Sequence, residues 1–266
     1  MNGIVIAAGL GSRMGAFTET KPKCLLPVAG STFLDHTIAQ LRAVGCTQIV
    51  VVVGHKAEMI DVSNVTYVTN EDYPNNNILH SLMKAREYLD GASMVSYSDI
   101  WVEPWIYRQL ADTPGDIVLA VDRDWKPYFE GRTHHPVAEA ENVFFDESAT
   151  VSDIGKQLDP KDVGDSICGE FIGMWRMSTQ GAADFQSCFE DVDSRLDRES
   201  NFQNADRWRQ AYATDLFQEL VDRGKRVTCS VFERGWAELD TAQDYERLTS
   251  IAERQLLTTI VEANQK

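Results

Sequence analysis

Near the start of this 266-residue chain, Gly9-Leu10-Gly11-Ser12-Arg13 follows directly on the short β-branched run of residues 4–7. A glycine loop at a strand end lets an anion approach the main chain and turns backbone N–H groups toward it, which is phosphate-binding chemistry. Three cations stand in and behind this loop, Arg13, Lys21 and Lys23, opposed only by Glu19. Open backbone flanked by guanidinium and ammonium groups at a strand end suits a triphosphate better than a solvated surface loop. Two common nucleotide loops are disfavoured by the residues themselves. The dinucleotide pattern G-x-G-x-x-G needs a third glycine where Met14 stands, and G-x-x-x-x-G-K-[ST] does not occur.

A second chemically loaded region lies beyond residue 121. Trp125, Tyr128 and Phe129 sit among Asp122, Asp124 and Glu130, with Glu139, Glu141 and Glu170 further on. Ring faces mixed with carboxylates suit a cationic head group. Arg132, His134 and His135, in the same stretch, suit a phosphate or phosphonate instead. His80 falls in an apolar helical stretch and reads as a structural histidine.

A loop of this kind needs a sheet beneath it. Residues 32–44 read as a helix, with Phe33, Ile38, Leu41 and Val44 on one face and Gly45 as its C-cap. Residues 48–53 form a continuous apolar run, the pattern of a strand covered on both faces. A strand at 65–68, a helix at 78–89, a strand at 92–97 ending in Ser98-Asp99, a helix at 103–111 and a strand at 116–121 continue the alternation. This predicts an α/β fold with a doubly wound, mainly parallel, Rossmann-like sheet, whose sites lie outside the carboxyl ends of the strands. Residues 137–145 alternate as in a small antiparallel insertion. Strands at 171–177 and 227–232 and helices at 180–189 and 212–222 follow. We expect one domain over residues 1–240, with a nucleotide-binding half (1–121) and an acceptor-binding half (122–240), and a C-terminal helix over 241–266 as an appendage. Tyr245, Leu248, Ile251, Leu256, Ile260 and Val261 suit that helix either to its own domain or to a second copy in a homodimer.

Composition narrows the function classes. With 25 Lys+Arg against 41 Asp+Glu, the formal charge of −16 repels polyanions, which argues against a nucleic-acid-coating or membrane-surface protein. The longest apolar run, residues 48–54, is far short of a membrane span, and the N-terminus lacks a leader pattern. Five cysteines without a C-x-x-C pair give no zinc template and suit a reducing compartment, so a cytoplasmic location is expected. The charge is uneven: the first 60 residues hold five Lys/Arg and three acids, so the acidity belongs to the remainder.

Ala7-Ala8-Gly9-Leu10-Gly11-Ser12-Arg13-Met14 followed by Lys21-Pro22-Lys23-Cys24-Leu25-Leu26-Pro27-Val28 resembles the signature of the nucleotidyltransferases that make nucleoside-diphosphate sugars and CDP-alcohols. The stretches Glu71-Asp72-Tyr73-Pro74-Asn75-Asn76-Asn77 and Glu238-Leu239-Asp240-Thr241 are similar to the cytidylyltransferases that activate phosphocholine. Val121-Asp122-Arg123-Asp124-Trp125 and Gly169-Glu170-Phe171 look like relatives acting on aminoethylphosphonate or on phosphorylated amides or amino-alcohols. The resemblance implies transfer of CMP from CTP to a small phosphate or phosphonate acceptor, with release of pyrophosphate. It implies that Ala7, Ala8, Gly9, Leu10, Gly11 and Ser12 wrap the triphosphate, that Arg13 and Lys23 neutralise it, and that Asn77 and Ser81 lie near the base. It further implies Mg²⁺ held by Asp99 and Asp240 with Glu238 as a helper. Asp122, Trp125, Arg132, Glu139 and Glu170 are the expected acceptor residues. Asp99 appears as Tyr97-Ser98-Asp99-Ile100 rather than the common G-D-[NS], which keeps the carboxylate. Two alternatives stay open: a sugar-1-phosphate enzyme using UTP, GTP or dTTP, and a regulatory nucleotide-binding module that has lost its chemistry.

Overall fold

Residues 4–6 and 49–53 are almost wholly β-branched, so the chain builds its sheet first where side-chain stiffness favours extended backbone. The computed structural model describes residues 1–28, 30–158 and 166–250. In chain order the strands are β1 (Asn2–Ala7), the hairpin β2 (Pro27–Val28) and β3 (Ser31–Thr32), β4 (Gln48–Val53), β5 (Thr66–Thr69), β6 (Ser93–Tyr97), β7 (Ile100–Val102), β8 (Ile117–Asp122), β9 (Glu141–Phe145), β10 (Val151–Lys156), β11 (Ile167–Met177), β12 (Val227–Phe232) and β13 (Trp236–Glu238). The helices are α1 (Phe33–Ala43), α2 (Ile78–Met83), α3 (Pro104–Asp112), α4 (Thr179–Arg195), α5 (Ala213–Asp222) and α6 (Ala242–Thr249).

The main sheet runs β10-β9-β11-β6-β1-β4-β5, with β8 on β11 and β12 on β8. Strands β6, β1, β4 and β5 are parallel, as expected of a doubly wound fold. Strand β11 is antiparallel to β6, β8 and β9, so the antiparallel part is larger than the sequence suggested and lies at the sheet's centre. The alternation expected from residue 137 begins later, because Val137–Glu139 is a 3-10 turn and the strand starts at Glu141. The helix expected over 78–89 stops at Met83, and a separate 3-10 turn, Arg86–Tyr88, follows it.

Both faces of the central strands are covered. Ile4, Ile6, Val50 and Val52 belong to one buried cluster with residues of α2, α4 and α5, while Val5, Val51 and Val53 belong to another with residues of α1 and α3. That two-sided burial is why β4 reads as an unbroken apolar run rather than an alternating one. No helix of the described residues is long and apolar enough to cross a membrane.

Two very short strands, invisible to periodicity, do most to position the site. β13 pairs antiparallel with β7, setting Glu238 opposite Ile100, and the Leu239 N–H donates to the Asp99 carbonyl at 2.8 Å. A segment 140 residues downstream is thereby stitched to the end of β6. The chain then enters α6 through a capping box in which the Thr241 side chain accepts from the Asp244 N–H and the Asp244 carboxylate accepts from the Thr241 N–H. Leu248 is buried against Met14, Phe33, Trp101 and Leu239, and the Tyr245 hydroxyl donates to the Pro27 carbonyl. The described part of the last helix therefore packs on the domain. Ile251, Leu256, Ile260 and Val261 lie outside the described residues.

Candidate functional site

The carboxyl ends of β1 and β6 open into one cleft of about 610 Å³, its mouth included, lined by Ala7, Ala8, Gly9, Gly11, Lys23, Asn77, Ser81 and Asp99 among others. Of the eleven residues expected to bind the nucleotide, eight are in that lining. Leu10, Ser12 and Arg13 flank it, and Asp240 stands behind Lys23. Gly11 takes a left-handed conformation (φ 61°), which turns the chain into the 3-10 segment Ser12–Thr18. Thr18 hydrogen-bonds back to the Gly11 carbonyl, and the Lys56 ammonium donates to the Thr18 carbonyl, so the loop is anchored at both ends. A Cβ on Gly9 would meet nothing within 4 Å, which leaves its backbone open to a ligand.

The charges at the mouth of the cleft converge. Lys23 Nζ lies 2.7 Å from Asp99 Oδ2 and 3.0 Å from Asp240 Oδ1, while Arg13 reaches Asp240 Oδ2 at 2.8 Å. Burial works against the Lys23 ammonium, but the two carboxylates outweigh it and hold the group above the ordinary lysine value. Burial likewise works against the Asp240 carboxylate, and Lys23, with His135 and Arg13 beside it, pushes that group well below the usual range. Glu238 moves the other way, raised by its burial and by the charge of Asp240. The donor set fits a divalent cation, since a hard ion takes carboxylate oxygens as ligands.

At the α2 end of the cleft, the sequence named Asn77 and Ser81 and did not single out two neighbours. Asn77 caps α2, its side-chain oxygen accepting from Ile78 N–H and its amide donating to the Gln210 carbonyl. The inward polar group is a buried relay in which Asn70 Nδ2 donates to Asn76 Oδ1 and to Ser81 Oγ, both at 2.9 Å. Tyr73 and Asn76 also line the cleft. The polar run around residues 70–77 was the available signal for both.

The acceptor side differs from its expectation. The faces of Tyr128 and Phe129 are covered by the chain's own cation, the Arg132 guanidinium, at 4.7 and 4.9 Å. Trp125 is 5% exposed and packs with Phe129 and Ala140. Asp122 is fully buried, accepting from the N–H groups of Asp124 and Arg234 and from Trp236 Nε1. The Arg132 side chain has no exposed surface and binds Asp244 at 2.7 Å and Glu238 at 3.1 Å. Asp122, Trp125 and Arg132 are thus packing and bracing groups, and the expected aromatic cation pocket is closed by an internal arginine. Glu139 pairs with Lys156 at 3.2 Å. Glu170 is buried with one carboxyl oxygen unpartnered, and burial, reinforced by the charge of Glu238, pushes it well above the usual range. His80 holds the Trp208 carbonyl at 2.8 Å, as a structural histidine does. His135, weighed only as a phosphate contact, stands instead beside Asp240 and Glu238.

Comparisons with known proteins agree with this architecture. Over 259 residues the chain is 24% identical to the CTP:phosphoglutamine cytidylyltransferase of Campylobacter jejuni, covering 92% of this chain and 98% of that one. It is 34% identical over 105 residues to the 2-aminoethylphosphonate cytidylyltransferase of Lancefieldella rimae, a match spanning 38% of this chain and 43% of that protein. The fold superimposes on the CTP:phosphocholine cytidylyltransferase of Streptococcus pneumoniae with a TM-score of 0.68 at 21% identity, covering 96% of this chain and 98% of that one. The model of the MobA-like NTP transferase domain matches residues 3–156, more than half of the chain and all of the residues lining the cleft, while Asp240 lies beyond it. The chain is a nucleotidyltransferase of the MobA-like NTP transferase family.

Proposed function

We propose that this enzyme is a Mg²⁺-dependent cytidylyltransferase that moves CMP from CTP to a small phosphate or phosphonate acceptor and releases pyrophosphate. The observation that carries the reading is the position of Lys23 between Asp99 and Asp240 at the mouth of a glycine-loop cleft. The full-length relative that acts on phosphoglutamine and the relative that acts on 2-aminoethylphosphonate support CTP and a phosphorylated or phosphonate acceptor.

In this reading the backbone of residues 9–12 and the Arg13 guanidinium hold the β- and γ-phosphates. Lys23 turns from its two acids to the α-phosphate. The acceptor oxygen attacks the α-phosphorus in line, the bond from that phosphorus to the bridging oxygen of the β-phosphate breaks, and pyrophosphate leaves with the electron pair. The attacking oxygen is already ionised, so no general base is needed, and catalysis reduces to positioning and charge neutralisation. Asp99, Asp240 and Glu238 would hold Mg²⁺, which supplies a Lewis acid for the negative charge gathered there. Asn77 and Ser81, with the Asn70–Asn76 relay, border the base. Residues 1–121 serve the nucleotide and the later half serves the acceptor, with Glu139 and Glu170 as its remaining candidate contacts.

The test is a panel of CTP, UTP, GTP and dTTP, each with Mg²⁺ and phosphocholine, 2-aminoethylphosphonate, phosphorylated amides or sugar phosphates, with pyrophosphate as readout. Turnover confined to CTP with a non-sugar acceptor is expected. Turnover with a sugar 1-phosphate and another nucleotide, or none with any pair, would overturn the reading.

A further inference from the structure

A loop that the reaction scheme leaves out delivers an imidazole to the acids at the cleft. Residues 131–135 leave the Phe129 turn through Gly131 (φ 77°) and are pinned to α6 by one side chain. Gln243 Oε1 accepts from the N–H groups of Thr133 and His134, and Gln243 Nε2 donates to the Gly131 carbonyl. The segment that supplies Glu238 and Asp240 therefore also fixes the loop that carries His135. Arg132 ties the same two pieces together through Glu238 and Asp244.

His135 is 95% buried by side chain, with its ring beside Phe129. Nδ1 lies 2.9 Å from Asp240 Oδ2, and Nε2 lies 3.7 Å from Glu238 Oε2. A histidine that merely bridged two acids would aim an N–H at each. Here Nδ1 lies within hydrogen-bond distance of Asp240 without a well-aligned N–H···O geometry, and the Glu238 oxygen is beyond reach. One nitrogen and two carboxylate oxygens instead lie within 4.8 Å of one another. Adjacent ligands of an octahedral ion with bonds of about 2.1 Å stand about 3 Å apart, close to the Nδ1–Oδ2 spacing.

We propose that His135 is a ligand of the divalent cation, donating a ring nitrogen beside carboxylate oxygens of Glu238 and Asp240, and that the site accordingly accepts Mn²⁺ or Co²⁺ more tightly than Mg²⁺. The inference rests on the metal-dependent reading above. Imidazole is a poor partner for Mg²⁺ and a good one for later first-row ions, so one nitrogen in an oxygen site changes which metal it prefers. A carboxylate-only site follows the same order among first-row ions but with a smaller preference over Mg²⁺.

The experiment uses the full chain loaded with Mn²⁺ and a CTP analogue carrying a methylene between the α- and β-phosphates. Pulsed EPR reads whether a histidine nitrogen is bound, and ¹⁵N-histidine labelling identifies the nucleus. A directly bound ¹⁴N coupling in the native enzyme, replaced by the ¹⁵N pattern on labelling, is expected. His135→Gln should lose it and raise the Mn²⁺ dissociation constant about tenfold or more, whereas His134→Gln, at the exposed neighbour, should keep it. A native enzyme that binds Mn²⁺ with no nitrogen coupling, or a coupling that survives in His135→Gln, overturns the proposal even if His135→Gln folds poorly. CTP turnover measured on the same preparation separates the two readings: activity without nitrogen coupling sinks the ligand and leaves the reaction standing.

Discussion

Residues 1–121 and residues 122–240 use charge in opposite ways. In residues 1–121 the cations end at an open cleft, where Lys23 is 15% and Arg13 51% exposed by side chain, and their partners are acids that a metal and a triphosphate could take over. In residues 122–240 the cation that matters most, Arg132, has no exposed surface and is enclosed by Tyr128, Phe129, Glu238 and Asp244. The first arrangement is poised for exchange with a ligand and the second is finished internally. Charged and aromatic residues close in sequence therefore carry opposite meanings, depending on whether a third element comes to pair with them.

The largest expected effect breaks this contrast on the nucleotide side. Lys23→Ala should lower kcat/KM for CTP about 10³-fold, the loss of one preorganised cation at the reacting phosphate, while leaving the circular dichroism spectrum unchanged; near-native turnover would remove Lys23 from the chemistry. On the acceptor side the same kind of change should act on stability. Arg132→Met leaves Asp244 buried without its partner and should cost about 3 kcal/mol in denaturant unfolding. A stable Arg132→Met enzyme with a selectively raised acceptor KM would show that Arg132 serves the substrate after all.

A smaller effect concerns Glu103, at the start of α3 under the nucleotide half. Burial alone pushes this carboxyl up to about 7 from 4.5. Its folded pKa exceeds its unfolded one, so the protonated acid suits the folded state, and stability falls as pH rises from about 4.5 through 7. Glu103→Gln should flatten that slope by about 2 kcal/mol between pH 5 and 8, read from chemical melts across the range. An unchanged slope would mean that Glu103 meets water or a partner. The smallest effect is Trp125→Phe, which should lower the melting temperature modestly and leave the acceptor KM within about twofold, since exchanging one buried ring for another costs little beyond packing. A large rise in acceptor KM would reopen the aromatic pocket.

What could be read from the sequence follows the same division. The glycine loop, Lys23 and the strand ending at Asp99 were legible because backbone exposure and short spacing carry their chemistry. β4 was legible because two-sided burial leaves a continuous apolar run. The three-residue strands β7 and β13 have no period to detect, yet their pairing brings Glu238 and Asp240 to Asp99. Joining those acids required a resemblance rather than a pattern. The packing of Trp125, Asp122 and Arg132 was not legible for a physical reason as well: composition shows that rings and charges are neighbours, and only packing shows that Arg132 covers the rings and Trp236 Nε1 binds Asp122. His135 was visible as a residue but not as a partner of Asp240, because that contact spans more than a hundred residues.

The central claim is that the α-phosphorus of CTP is transferred to the acceptor. Incubation with CTP labelled with ³²P at the α-position, and separately at the γ-position, follows both halves of the reaction in the presence of Mg²⁺ and the acceptor panel. The account predicts α-label in a CMP-acceptor product and γ-label in pyrophosphate, in equal amounts. Label appearing as free CMP or inorganic phosphate, without a CMP-acceptor product for any acceptor, would contradict it.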